Sequence, residues 1–206
     1  MPKKLKKTLL LATNNAGKLR ELRQLLSELS GVQLLSPQEI GLELEVRETG
    51  STYAENASLK AAAFAKRSGL IVIADDSGLE VDALGGAPGI RSARYSPLPG
   101  ATDSDRRALL LENLGGHPRP WTARFRAWVA IAVPGEAIRQ VEGICEGEII
   151  PEERGENGFG YDPIFWIPLK GRTMAELTDD EKNAISHRGN AVREALPILE
   201  EMFEER

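Results

Sequence analysis

The first apolar run in the chain, residues 8–13 (TLLLAT), is short and continuous, the mark of a buried strand. Leucines spaced by three and four follow it. Leu19, Leu22, Leu25, Leu26 and Leu29 predict a helix over 17–29 that stops at Gly31. Residues 32–47 alternate loosely and include an edge strand. Thr52 and Glu55 then stand at capping-box spacing, in front of an alanine-rich helix that ends at Gly69. LIVIADDSG (70–78) reads as a second buried strand, stopping at two aspartates.

Beyond a GGAPG loop at 85–89, residues 101–116 read as a third helix with an Asp or Thr cap. In residues 122–135 the positions Ala123, Phe125, Ala127, Val129, Ile131 and Val133 alternate with a more mixed face, which predicts a strand. Two more strands are expected in 137–150, with a bend at Gly143. A glycine-rich, flexible loop (155–163) precedes the strand 164–167. Thr178 and Glu181 form a second capping box, and Ser186 can cap a last helix from 188 to 204, bent near Pro197. There is strand–helix–strand at the start, strands in series in the middle, and no internal repeat or clear linker. The expectation is one domain over 1–206 with an α/β fold: a large mixed β-sheet flanked by helices, with two lobes and a cleft between them.

Composition narrows the function. The 206 residues are 41 % hydrophobic and 28 % charged, as in an ordinary soluble globular protein. A net charge of −5 gives no global attraction to nucleic acid or an anionic membrane. A polyanionic ligand must therefore be met by locally placed lysines, a metal ion, or both. With a single cysteine, Cys145, neither an internal disulfide nor a Cys-rich metal site can form, which fits a reducing compartment. No histidine stands in a recognisable relation to Cys145, so it reads as a strand residue. His117 and His187 are far apart, which argues against zinc. The start, MPKKLKKTLLLATNN, has lysines before leucines like a signal peptide, but its apolar run ends after Ala12 at Asn-Asn. No stretch approaches the ~18 apolar residues of a membrane span. A cytoplasmic location is expected.

Five stretches could carry chemistry. ATNNAGK is a strand–loop–helix corner whose helix N-terminus favours an anion, with Lys18 adding a mobile charge; a capped helix start with a solvated lysine is the plainer alternative. It is not a Walker A loop, since Ala12 and Leu19 occupy positions that need Gly and Ser or Thr. Asp75 and Asp76 close a buried strand. Side chains alternate there, so one is expected to face the cleft, with no reason to desolvate either; an Asx turn is the alternative. Asn56 and Lys60 share one helix face downstream of Glu48, while Glu55 has the capping role. Phe159-Gly160-Tyr161-Asp162-Pro163 could roof a stacking slot for a flat base, or form a strand-entry turn. Lys182, Ser186, His187 and Arg188 cluster at a helix junction.

Five of these stretches, ATNNAGK, ETGSTYAENASLKA, ADDSGLEVDALGGAPGIRSARY, GFGYDPIF and EKNAISHRG, occur in register from about residue 9 to 196. Together they resemble the inosine triphosphate pyrophosphatase family. The resemblance implies an elongated mixed sheet, a homodimer, and Mg²⁺-dependent hydrolysis of the non-standard purine nucleotides ITP, dITP and XTP to monophosphate and pyrophosphate. It implies that Thr13, Asn14, Asn15, Ala16, Gly17 and Lys18 grip the triphosphate. Asp76 becomes the catalytic acceptor and a metal ligand, Ser77 a substrate contact and Lys60 a phosphate-side lysine. Phe159, Gly160, Tyr161 and Asp162 become the base-binding loop, with Lys182, His187 and Arg188 as further base-side contacts. Some relatives have two consecutive acids where this chain has Arg47-Glu48, so Glu48 is left as the second metal-binding acid. The donors expected to face the oxygen at C6 of the base are His187, Arg188 and backbone N–H groups near 159–162. Two rival readings are a nucleotide sensor without hydrolysis and a similar-fold enzyme for modified pyrimidine nucleotides.

Overall fold

The computed structural model describes residues 7–204; the lysine-rich lead of residues 1–6, weighed above against a signal peptide, lies outside the described residues. Strand β1 (Lys7–Leu11) leads into helix α1 (Ala16–Leu25), strand β2 (Val32–Leu35) and helix α2 (Tyr53–Ser68). Next come the long strand β3 (Ile71–Val81), helix α3 (Asp103–Leu114) and strands β4 (Trp121–Ala132) and β5 (Arg139–Ile149). Two short strands, β6 (Phe165–Ile167) and β7 (Arg172–Thr173), precede helices α4 (Asp179–Ile185) and α5 (His187–Glu204). The strands form one sheet in the order β2-β1-β3-β4-β5-β6-β7. β1 pairs in parallel with β2 and β3, whereas β6 pairs antiparallel with β5 and β7. This is the mixed sheet with helices that the sequence predicts, and β2 is its expected edge strand.

Three local expectations change. β3 does not stop at the aspartates but runs on for five residues past them, so the Asx turn is absent. Its parallel partner ends opposite Ile73, and β4 is its neighbour on the other side. The segment 137–150 holds one strand, not two, because Gly143 lies within β5 rather than at a bend. Only half of the capping box at α2 forms: Thr52 accepts from the Glu55 amide at 3.2 Å, but the Glu55 carboxylate turns to the amide and hydroxyl of Ser51. The box at α4 is complete, and Ser186 accepts from the Gly189 amide at 3.0 Å to cap α5, which starts at His187 and holds Pro197 inside it.

The chain falls into two compact units. One runs through to Asp76 and takes in Trp128–Gly143 and the chain from Ala191 on; the other holds Ser77–Ala127 and Ile144–Asn190. In the first, the small residues Ala57, Ala61 and Ala65 let α2 lie close on Leu10, Val72 and Ala130. In the second, Leu110 and Leu114 of α3 pack with Phe125, Phe165, Tyr161 and Met174. Alternate residues of β4, from Ala123 to Ile131, are buried as the period-two pattern requires.

Gly147 shows why β5 carries glycine. A Cβ there would stand 2.5 Å from the Trp166 carbonyl oxygen and 2.7 Å from the Phe165 ring, so the glycine lets β6 approach closely. Gly147→Ala should lower the unfolding free energy by about 1–3 kcal/mol in urea titrations, whereas Gly116→Ala, with open space around it, should change it by less than about 0.5 kcal/mol. Cys145 lies buried in β5, and burial, with the Glu146 and Asp162 carboxylates adding, pushes its thiol up to about 12. Iodoacetamide at pH 8 should therefore leave the native protein unlabelled and modify it on unfolding; rapid labelling of the native state would contradict this placement.

Candidate functional site

In the first unit the sheet delivers two acids and the helices deliver two lysines. β1 ends in the turn Thr13–Asn15, where the Asn15 amide donates to Thr13 Oγ1 at 3.2 Å and Asn15 Oδ1 accepts from the Lys18 amide at 3.0 Å. Asn15 is thus the cap of α1, and Asn14 is exposed beside it. Ala16 and Gly17 form the first turn, whose amides have no partner within an α-helix. Lys18 Nζ reaches Asp75 Oδ2 at 3.0 Å. The capped-helix and charged-corner readings are therefore compatible: the same turn does both.

One residue on, the alternation of β3 points Asp76 at a different helix. Lys60 Nζ lies 3.4 Å from Asp76 Oδ1 and 2.9 Å from Glu48 Oε1. Asn56, one turn earlier on α2, donates to Asp76 Oδ2 at 3.2 Å and accepts from the Gly50 amide at 2.8 Å. It ties the segment after Glu48 to the strand, and Gly50 leaves room for it: a Cβ there would be 2.7 Å from Asn56 Oδ1. Shared-face spacing was the only sequence signal for Asn56.

Contrary to expectation, both aspartates are desolvated, at 2 % and 7 % exposure. Burial raises the Asp76 pKa above the ordinary carboxylate value, with the charges of Glu48 and Asp75 adding and those of Lys60 and Lys18 opposing. Burial works against the charge of Lys60, but Asp76, Asp75 and Glu48 outweigh it and raise its pKa, so it stays an ammonium at neutral pH. Among the described residues no group of three or more His, Cys, Asp and Glu side chains forms a metal cage. What exists is an all-oxygen pair, Glu48 and Asp76, converging on one lysine nitrogen. Such donors suit a hard cation that keeps water and takes phosphate oxygens as its other ligands, and do not suit zinc.

The second unit gathers the other candidates. Its backbone begins at Ser77, which follows Asp76 along β3, and Ser77 Oγ accepts from Arg188 at 3.0 Å. Arg188 is almost wholly buried, in the first turn of α5. A Cβ at Gly189 would meet the Asn183 carbonyl oxygen at 2.0 Å, so that glycine lets α4 and α5 abut. His187 stacks on Phe125 with centroids 4.8 Å apart. Lys182 Nζ and Asp162 Oδ2 form a buried pair at 2.6 Å, and the same oxygen accepts from the Phe159 amide at 2.8 Å. The Phe159 ring lies 5.0 Å from the Lys182 ammonium and 5.8 Å from the Arg188 guanidinium.

The glycine-rich loop is fastened rather than flexible. Asn157 donates to the Leu177 carbonyl at 3.0 Å, and a Cβ at Gly155 would meet Ala175 at 2.3 Å. Gly158 has φ +76° and no room for a side chain, because Asp162 Oδ2 would be 2.0 Å from its Cβ. Tyr161 points inward: it is buried, its hydroxyl donates to the Ser92 carbonyl at 2.9 Å, and burial raises its pKa. The Phe159, Gly160 and Asp162 amides donate to Asp162, Asp103 and Phe159 respectively, so these expected backbone donors are already engaged. Asp103 and Arg107, both touching Gly160, gave no sequence signal beyond an ordinary charged helix face.

Comparison with known proteins gives the arrangement its context. The model of the Ham1 family matches residues 9–198. A dITP/XTP pyrophosphatase from Desulforamulus reducens is 50 % identical over 95 % of this chain and 96 % of its own length. The dITP/XTP pyrophosphatase of Bacillus subtilis is 48 % identical, over 94 % and 98 %. The structure of a HAM1 protein from Coxiella burnetii superposes with a TM-score of 0.84 at 43 % identity, covering 94 % of this chain and 98 % of that one. Matched from the first apolar strand to the last helix, this chain belongs to the Ham1 family.

Proposed function

We infer that this chain hydrolyses the non-standard purine nucleoside triphosphates ITP, dITP and XTP to monophosphate and pyrophosphate; its near-full-length relatives are named dITP/XTP pyrophosphatases, which supports the reading. The observation that carries the residue-level reading is the convergence of Glu48, Lys60, Asn56 and Asp76, with Lys18 on the neighbouring aspartate. Two lysines face three carboxylates there, so the set is negative before any substrate arrives. A triphosphate brings about four more negative charges and must come with a cation. We propose Mg²⁺, held by Glu48 and Asp76 and neutralising phosphate charge when bound.

Within this reading the chain's own groups have distinct tasks. Lys18 and Lys60 oppose the charge that grows on the leaving pyrophosphate as the bond between the α- and β-phosphates breaks. The open amides of Ala16 and Gly17 add a helix-end dipole. Water supplies the new oxygen and loses a proton. The raised pKa of Asp76 makes it a better proton acceptor than an ordinary carboxylate, while Asn56 fixes its orientation. In the second unit, Phe159 offers a stacking face and Arg188 a rigid fork of N–H donors. A donor facing C6 accepts the oxygen of hypoxanthine or xanthine and opposes the amine of adenine. The single-domain organisation, the homodimer implied by the family resemblance, and the cytoplasmic location suggested by the lone cysteine belong to the same proposal.

Asp76→Asn should cut pyrophosphate release from ITP by about 10²–10⁴-fold in Mg²⁺ while the circular dichroism stays native. Wild-type turnover by this variant would overturn the assignment, and tight ITP binding by the wild type without turnover in Mg²⁺ or Mn²⁺ would favour a sensor. Arg188→Lys keeps the charge and loses the fork, so the kcat/KM ratio of ITP to ATP should drop about tenfold. An unchanged ratio would remove Arg188 from base selection.

A further inference from the structure

Helix α3 holds the backbone of Gly160 from both sides. Its amide donates to Asp103 Oδ2 at 2.7 Å, and its carbonyl accepts from the Arg107 guanidinium at 2.8 Å. The two side chains stand four residues apart, hence on one helix face. Neither is needed for capping: Thr102 and Asp105 form the complete box at the start of α3. Each is itself secured. Asp103 pairs with Arg106, and Arg107 makes a two-pronged contact with Glu153 at 2.9 and 2.8 Å.

Gly160 sits at φ +64° with open space around its α-carbon, so its conformation is not imposed by crowding. A glycine that permissive would sample several backbone states if left alone. Fixing its N–H and its C=O at once selects one. The amide that Asp103 holds belongs to the Phe159–Gly160 peptide, whose carbonyl accepts from the Asp162 amide at 3.3 Å. That peptide adjoins the Phe159 α-carbon, whose ring stands 5.0 Å from the Lys182 ammonium and 5.8 Å from the Arg188 guanidinium.

We propose that Asp103 and Arg107 are positioning residues that determine purine selectivity, by locking the two peptides that flank the Gly160 α-carbon, Phe159–Gly160 through its N–H and Gly160–Tyr161 through its C=O, in the loop conformation that presents the Phe159 ring to the base. This rests on the reading of 159–162 as the base-binding loop. Hydrogen bonds that touch no substrate thereby act on affinity and on discrimination between bases rather than on bond cleavage.

The test compares Asp103→Ala, Asp103→Asn, Arg107→Met and Phe159→Ala in the full-length protein, with steady-state kinetics on ITP and ATP and urea midpoints for each. Asp103→Ala and Arg107→Met should raise KM for ITP and shrink the ITP-to-ATP preference, each about tenfold, with kcat changed less than about threefold. Asp103→Asn keeps an oxygen for the Gly160 amide and should recover most of the loss. Wild-type KM and preference in Asp103→Ala, a loss confined to kcat, or failure of Asp103→Asn to recover would overturn the proposal. Phe159→Ala separates the two levels. If it abolishes the preference while Asp103→Ala does not, the clamp is refuted and the base-loop reading stands; if it leaves the preference intact, that reading is itself wrong.

Discussion

Placing two adjacent carboxylates in the middle of a buried strand is the constraint on which the first unit is built. Aspartate is a poor strand residue, and an ionised one out of water is costly unless it is paired and hydrogen-bonded. The fold meets this by sending Asp75 and Asp76 to opposite faces of β3, where each meets a lysine from a different helix. α1 must start where it does for Lys18 to reach Asp75, and the capped start at Asn15 fixes that point. α2 must pack closely for Asn56 and Lys60 to reach Asp76, and its alanine face allows it.

The second unit obeys a different constraint: its glycine-rich loop needs a fixed backbone to hold the Phe159 ring in one place. Glycines at 155 and 158 let the loop fold against Ala175 and Asp162. Asp162 then does three things with one carboxylate: it holds the Phe159 amide, pairs with Lys182, and fills the space a side chain at 158 would take. A buried pair of this kind is weak evidence for stability and better evidence for specification of one geometry.

Much of this was legible in the sequence because it is local. Capping boxes, leucine spacing and the period-two pattern of β4 depend on residues within a few positions of one another. The first unit's charged cluster was half legible: Lys18 and Asp76 were singled out at expected element ends, Glu48 ahead of α2 and Lys60 on its face, and the structure brings their side chains together. The continuation of β3 was not, because the cations that make DDSG tolerable in a strand come from Lys18 and Lys60, far along the chain. Gly143 misled because a glycine inside a continuous strand looks, in sequence, like one that bends it. Tyr161 sits among base-loop residues in the motif yet turns into the core, and no periodicity signals that inversion. Asp103 and Arg107 were invisible because what they bind is backbone.

Charge accounts for why the family's chemistry suits this arrangement. Lysines alone would make a stronger trap for a triphosphate, yet they would hold pyrophosphate as firmly as substrate and slow its release. Three acids beside two lysines leave the set slightly negative, so under the proposal above a cation would enter and leave with the phosphates. Burial raises the Asp76 pKa, with the charges of Glu48 and Asp75 adding, so its negative charge is held at a cost that the two lysines only partly offset. Under the proposed reading, the desolvation that disfavours the Asp76 charge in isolation would favour a metal–nucleotide complex over either component alone.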